Sequence, residues 1–91
     1  MEMISNERKV FENDVCEFYQ NSWTDNAELW ANEWGLNLHC YRTRQKNNIE
    51  DQDYVLVMDG EIVYAHKQYE AIGAHIDIIA LAQGLKRKNK R

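Results

Sequence analysis

Residues 54–65 of the chain read YVLVMDGEIVYA and carry its strongest local signal. Asp59-Gly60 separates two runs of residues that favour β-strands. Such a pair is typical of a two-residue type I′ turn, because both central residues need positive φ. The sequence therefore predicts a β-hairpin of residues 54–58 and 61–65. The turn also predicts the cross-strand pairs, which are Met58–Glu61, Val57–Ile62, Leu56–Val63, Val55–Tyr64 and Tyr54–Ala65.

This hairpin is apolar on both of its faces, whereas a sheet with one solvated face alternates apolar and polar residues. One face would hold Val55, Val57, Ile62 and Tyr64, and the other Tyr54, Leu56, Met58 and Val63. We expect both faces to be covered. Either the chain covers both by itself, or one face is an interface with a second copy or a partner protein.

Two helices are predicted before the hairpin. Apolar residues at 4, 11, 15 and 18 have helical spacing and predict an amphipathic helix over about residues 6–22, capped by Ser5 or Asn6. Asp25, with Glu28 three residues later, has the form of a capping box and predicts the start of a second helix. Gly35 stands where a left-handed residue would end that helix.

The rest of the chain completes the fold prediction. Alternation over 36–41 predicts a strand, the polar stretch 42–53 a loop, and 67–84 a last helix. The fold class is α+β, in the order α-α-β-β-β-α, with a three-stranded antiparallel sheet packed against helices. With the first two helices taken as one block, this order is similar to that of double-stranded-RNA-binding domains. Their lysine cluster at the start of the last helix is missing here, where only Lys67 is present.

The last helix, like the hairpin, is predicted to be apolar on two sides. One stripe holds Tyr69, Ile72, Ile76 and Ile79, and a second holds Ala71, Ala74, Ile78, Leu81 and Leu85. A helix that is apolar all round is buried all round. Since a chain of 91 residues buries only a modest core, we expect a homodimer.

Charge is distributed unevenly, although the formal net value is only −4. Residues 1–40 hold eight acids and two bases, whereas residues 86–91 hold five bases and no acid. We predict a single domain over residues 1–85 and a basic tail over 86–91. Cys16 and Cys40 form no disulfide framework, and no signal peptide or membrane span is recognisable, which predicts a cytoplasmic protein with reduced thiols.

No catalytic or metal-binding motif is present in the sequence. Cys16, His39, Cys40, His66 and His75 lack the spacing of zinc ligands, and no nucleophile elbow or glycine-rich phosphate loop occurs. We therefore expect neither enzymatic activity nor a metal or other cofactor.

The sequence thus favours a small, non-enzymatic protein-binding module that acts through an acidic surface on a partner with a basic surface. Small size and an acidic, aromatic-rich body are common in phage and mobile-element proteins that inhibit or regulate a host nucleic-acid-handling protein. The candidate contact residues are Glu12, Asp14, Glu17, Asp25, Glu28, Glu33, Trp30 and Trp34. Glu17, Glu28 and Glu33 lie off the apolar stripes, so changing them should barely alter stability.

The alternative function is nucleic-acid binding. Its candidate residues are Arg42, Arg44, Lys46, Lys86, Arg87 and Lys88. Tyr41 beside them could stack on a base. The negative net charge counts against this alternative, because nucleic-acid binders generally show a basic footprint.

Overall fold

The structure, a computed structural model, describes residues 7–84. The elements run in the order β-β-α-β-β-β-α. They are β1 (Arg8–Glu12), β2 (Cys16–Gln20), α1 (Ser22–Trp34), β3 (His39–Gln45), β4 (Asn48–Met58), β5 (Glu61–His66) and α2 (Tyr69–Ala82). All five strands join one antiparallel sheet in sequential order. The predicted α-α-β-β-β-α order with a three-stranded sheet is therefore wrong, although helices and an antiparallel sheet are both present.

The first error concerns the helix predicted over residues 6–22, because residues 8–20 form the β1–β2 hairpin and Ser22 already begins α1. The predicted caps Ser5 and Asn6 lie outside the described residues. The turn between the strands is built on Asn13, whose side-chain oxygen accepts hydrogen bonds from the backbone N–H groups of Val15 and Cys16. An Asn that bonds the backbone ahead of it competes with helix formation. Phe11 and Phe18, predicted to share a helical stripe, are instead cross-strand partners.

Helix α1 begins earlier than Asp25, the predicted cap. Asn21 is the N-cap, and it forms a reciprocal capping box with Thr24 in which each side chain accepts a hydrogen bond from the other residue's backbone N–H. Both residues are buried. The predicted C-terminus is confirmed: Gly35 has φ 88°, and the Leu36 N–H donates to the Ala31 carbonyl.

The second error concerns the polar stretch 42–53, which belongs to β3 and β4 and is not a loop. Thr43 pairs with Asp53, and Arg44 pairs with Gln52. These strand ends lack the apolar alternation that predicts a strand, so their β-structure depends on pairing with neighbouring strands. Thr43 is buried and its hydroxyl donates to the Asp53 carbonyl, whereas the other polar side chains form ion pairs or remain at least partly exposed.

The β4–β5 hairpin and its Asp59-Gly60 turn are confirmed. Both turn residues have positive φ, 54° and 79°. The first two predicted cross-strand pairs are also correct. Beyond them a bulge shifts the register, so Leu56 pairs with Tyr64, not with the predicted Val63. The remaining observed pairs are Val55–Ala65 and Tyr54–His66.

Both helices pack on the same side of the sheet. The main buried cluster is shared by the helices, the α1–β3 connection and one face of β3 and β4. It comprises Ala27, Ala31, Leu36, Leu38, Cys40, Tyr54, Leu56, Ile72, Ile76 and Ala80. The described part of the chain measures 43 × 31 × 19 Å, which suits one helical layer on one sheet. Within residues 7–84, the opposite sheet face receives no helix.

Candidate protein-binding surfaces

The sheet face without helices carries a continuous apolar stripe. Directly paired residues of antiparallel strands lie on the same face. Pairing therefore places Phe11 with Phe18, Tyr41 with Val55, and Val57 with Ile62. We call this set the open sheet face: Phe11, Phe18, Tyr41, Val55, Val57 and Ile62.

Aromatic contacts hold one half of the open sheet face together. The rings of Phe11 and Phe18 stack with centroids 4.4 Å apart, and Tyr41 contacts both of them edge-on. Phe18 and Val55 are buried, but Phe11 remains 45% exposed and Ile62 54% exposed. An apolar surface that spans a whole sheet and stays exposed at both ends is typical of an interaction site.

A second apolar surface lies on the outer side of α2. Ile72, Ile76 and Ala80 face the core, whereas Ile78 is 56% exposed and Leu81 is also exposed. The predicted second stripe is thus present on residues 71–81, and Leu85 lies outside the described residues. This stripe occupies one helix only, so it is narrower than the open sheet face.

The helical layer is acidic. Helix α1 carries Asp25, Glu28 and Glu33, helix α2 carries Glu70 and Asp77, and neither helix contains a lysine or arginine. The lysines and arginines of the described residues lie on the sheet, in its turns and in the β5–α2 connection. The two helices therefore form an acidic layer, and the basic side chains lie on or beside the sheet.

Asp77 joins the two helices. Its Oδ1 accepts hydrogen bonds from the indole Nε1–H groups of Trp30, at 2.7 Å, and Trp34, at 2.8 Å. Of these two predicted contact residues, Trp34 packs against the core cluster and Trp30 stays exposed. Beside this junction lies a cleft of about 240 Å³ between α1 and α2.

The predicted acidic residues do not form one surface. Glu12 and Glu17 lie on the β1–β2 hairpin and Asp14 in its turn, not on a helix. Hydrogen bonds from Lys9 and Lys46, at 2.7 and 2.9 Å, lower the pKa of Glu12 to about 2. Glu17 accepts from the Tyr19 hydroxyl and lies 3.8 Å from Lys9.

Asp25, Glu28 and Glu33 share helix α1, and the contacts of Asp25 and Glu28 support the fold. Asp25 forms a 2.7 Å ion pair with Arg8 of β1. One oxygen of Glu28 accepts from the Gln20 side chain and from the backbone N–H of Cys40. Glu28 therefore connects α1 to two strands, and we now expect its replacement to destabilise the protein, contrary to the expectation from sequence.

The basic residues proposed for nucleic acid lie on the helix-bearing side of the sheet. Arg42 and Arg44 stand over the rings of Tyr54 and Tyr19, at 4.9 and 4.4 Å from the centroids. Lys46 is paired with Glu12. Residues 86–88 lie outside the described residues.

Tyr41 points away from these basic residues. Successive residues of a strand alternate between faces, so Tyr41 lies on the open sheet face and Arg42 on the other. The predicted combination of a stacking ring with neighbouring arginines is therefore not assembled. The sheet therefore separates Tyr41 from the side chains of Arg42 and Arg44.

Both cysteines are free and buried, on opposite faces of the sheet. Burial raises the pKa of Cys40 and of Cys16 above the usual thiol value. Within residues 7–84, no three His, Cys, Asp or Glu side chains are grouped as metal ligands would be. Neither described helix has the length and apolar character needed to cross a membrane.

No protein-family model, no curated protein and no solved structure matches this chain. Its surfaces must therefore be interpreted from their own chemistry.

Sequence reasoning missed Phe11 and Asp77 as contributors to these surfaces. Phe11 was assigned to a helical stripe, although the Asn13-Asp14 pair after Val10-Phe11 is a recognisable turn signal. Asp77 carries no local signal, because its two partners are 43 and 47 residues away in sequence.

Proposed function

We propose that this chain is a non-enzymatic protein-binding module that works as a homodimer and presents its acidic helical layer to a basic partner protein. The observation that carries the proposal is the open sheet face, an apolar stripe over five strands with both helices on the other side. In a dimer, two such faces would pack against each other as in a β-sandwich. That arrangement leaves both helical layers accessible.

The size of the open sheet face sets the expected strength of the dimer. Five strands about 4.8 Å apart, with about five residues each at about 3.3 Å, give the whole sheet a flat footprint of about 400 Å² per copy, which is the upper limit for the open sheet face. A standard stable interface buries about 800 Å² of accessible surface per partner. We therefore expect monomer and dimer to exchange in the micromolar range.

The partner is proposed to be basic because of the charge on the helical layer. Five acids without a lysine or arginine on the two helices create a field that attracts positive surfaces and accelerates association. The free, buried cysteines suit a reducing compartment, so we also propose a cytoplasmic location. Inhibition or regulation of a nucleic-acid-handling protein, encoded by a phage or mobile element, remains the proposed biological setting.

Sedimentation equilibrium tests the homodimer. The apparent mass should rise from monomer to dimer across the micromolar concentration range, and monomer at every concentration would contradict the proposal. Association with the basic partner is tested by comparing the proteins captured from a host lysate by wild type and by a Glu33→Lys/Glu70→Lys variant. Loss of a specific basic protein from the variant is expected, and equal capture by both would contradict an acidic contact surface.

A further inference from the structure

The cleft between α1 and α2 has the chemistry of a binding site for one amphipathic cation. It lies in the acidic helical layer and has a volume of about 240 Å³. This volume is small for a drug-sized ligand but suits one side chain. Its walls include Trp23, Ala27, Trp30, Gly73, Ile76 and Asp77.

Gly73 keeps the cleft open. A Cβ at this position would meet no atom within 4 Å, so close helix packing does not require a glycine here. Glycine in a helix interior is less stable than alanine by about 1 kcal/mol. The residue is therefore unfavourable for helix α2 and leaves space in the wall of the cleft.

The aromatic and acidic groups of the cleft are held in place before any ligand arrives. The Trp23 ring contacts Tyr54 and Tyr69, with centroids 5.3 and 5.2 Å away. The Trp30 indole is fixed by its hydrogen bond to Asp77, and that carboxylate is fixed in turn by a second indole from Trp34. These side chains would therefore lose little conformational entropy when a ligand binds.

These groups select a ligand with an alkyl chain and a positive end. The ring of Trp23 offers apolar surface to the alkyl chain above the buried Ala27 and Ile76, whereas the Trp30 ring and the Asp77 carboxylate attract a cation. A wholly apolar side chain would remove water from the Asp77 carboxylate without replacing it. An anion would be repelled by the acids of both helices.

We infer that the α1–α2 cleft binds a lysine or arginine side chain of the partner protein. This inference rests on the proposed protein-binding function and identifies the group that the acidic layer recognises. The positive end lies at Asp77 and the Trp30 ring, and the alkyl chain lies against the Trp23 ring and the open space beside Gly73. Binding in the cleft does not depend on the open sheet face, so the inference about the cleft and the proposed homodimer can be refuted separately.

The test is an NMR titration of ¹⁵N-labelled protein with capped single amino acids. The probes are N-acetyl-arginine amide, N-acetyl-lysine amide and, as the neutral apolar comparison, N-acetyl-leucine amide. Saturable shifts of the Trp30 and Trp34 indole N–H signals are expected with the basic probes, in the millimolar range. Affinity for at least one basic probe should exceed that for the leucine probe by about tenfold or more.

Three variants make the test specific. Asp77→Asn keeps an oxygen acceptor for both indoles but removes the charge, so binding of the basic probes should fall by about tenfold while the backbone spectrum stays folded. Gly73→Leu fills the cleft and should abolish binding of every probe. Glu70→Gln removes one charge from the same helix outside the cleft walls and should leave most of the affinity.

Several results would overturn the inference. These are equal or tighter binding of the leucine probe, no saturable indole shift with any probe, or full affinity for basic probes in folded Asp77→Asn. Sedimentation of the same samples measures the homodimer independently of probe binding. If no probe binds but the dimer is intact, only the inference about the cleft is refuted. If the probes bind and the protein is a monomer, only the homodimer is refuted.

Discussion

Replacing Ile62 by threonine should weaken the dimer without unfolding the monomer. Ile62 is 54% exposed on the open sheet face, and threonine keeps the β-branched shape that strands favour. Full burial of an isoleucine side chain contributes about 1.5–3 kcal/mol, so covering the exposed half contributes about 1 kcal/mol per copy. Both copies contribute in a symmetric dimer, which gives about 2 kcal/mol and a dissociation constant about thirtyfold higher.

Ile78→Thr is the matched control for this change. Ile78 is 56% exposed, almost the same as Ile62, but it lies on the outer side of α2. Sedimentation equilibrium of the two variants and wild type therefore compares equal losses of apolar surface at two places. We expect Ile78→Thr to change the dissociation constant by less than about threefold. An undiminished dimer in Ile62→Thr, or a larger loss in Ile78→Thr, would refute the assignment of the interface to the sheet.

Three further predictions concern stability and reactivity. Gly73→Ala should raise the free energy of unfolding by about 0.5–1 kcal/mol in urea titrations, since the added methyl group meets open space; a loss would show a contact at that position. Because the folded pKa of Glu12 is lowered from 4.5 to about 2, its ion pairs stabilise the protein above pH 4.5, and this stabilisation is lost as the pH falls towards 2. In Glu12→Gln, the urea midpoint of unfolding should therefore vary less with pH in that range than in wild type. An equal variation in both proteins would count against these ion pairs. Cys40, fully buried, should react with a thiol reagent more slowly than Cys16 in the native protein, and equal rates at both would contradict their burial.

The parts of the fold predicted correctly are those with strong local turn chemistry. Asp59-Gly60 determines its hairpin because positive φ at two successive residues is inexpensive for this pair. Gly35 ends α1 because glycine also adopts positive φ at little energetic cost. The bulge that follows Leu56 was not predictable, because the local sequence does not reveal how β5 adjusts to the helix packed on it.

The β1–β2 hairpin was predicted wrongly because two periodicities overlap in its sequence. Ile4, Phe11, Val15 and Phe18 fit a helical stripe, but Phe11 and Phe18 also fit two short strands around an Asn-Asp turn. The choice between them depends on pairing with β3, which is more than twenty residues away in sequence. Long-range pairing of this kind overrides local preference.

The candidate site was only partly predictable for a similar reason. The hairpin, apolar on both faces, predicted that both faces would be covered. The helices cover one face, and a cover on the other face stays a prediction. The extension of that face to Phe11 and Phe18 required knowledge of the β1–β2 hairpin. The junction of Trp30, Trp34 and Asp77 depends on helices brought together from distant parts of the chain.

The central claim is that two copies meet through their open sheet faces, and an isotope-filtered NOE measurement tests it most directly. A dimer mixed from ¹³C-labelled and unlabelled chains should show intermolecular NOEs between the Val57 and Ile62 methyl groups of one copy and the aromatic or methyl groups of the partner's open sheet face. Intermolecular NOEs confined to the Ile78 and Leu81 methyl groups, or none at concentrations where dimer is present, would contradict it.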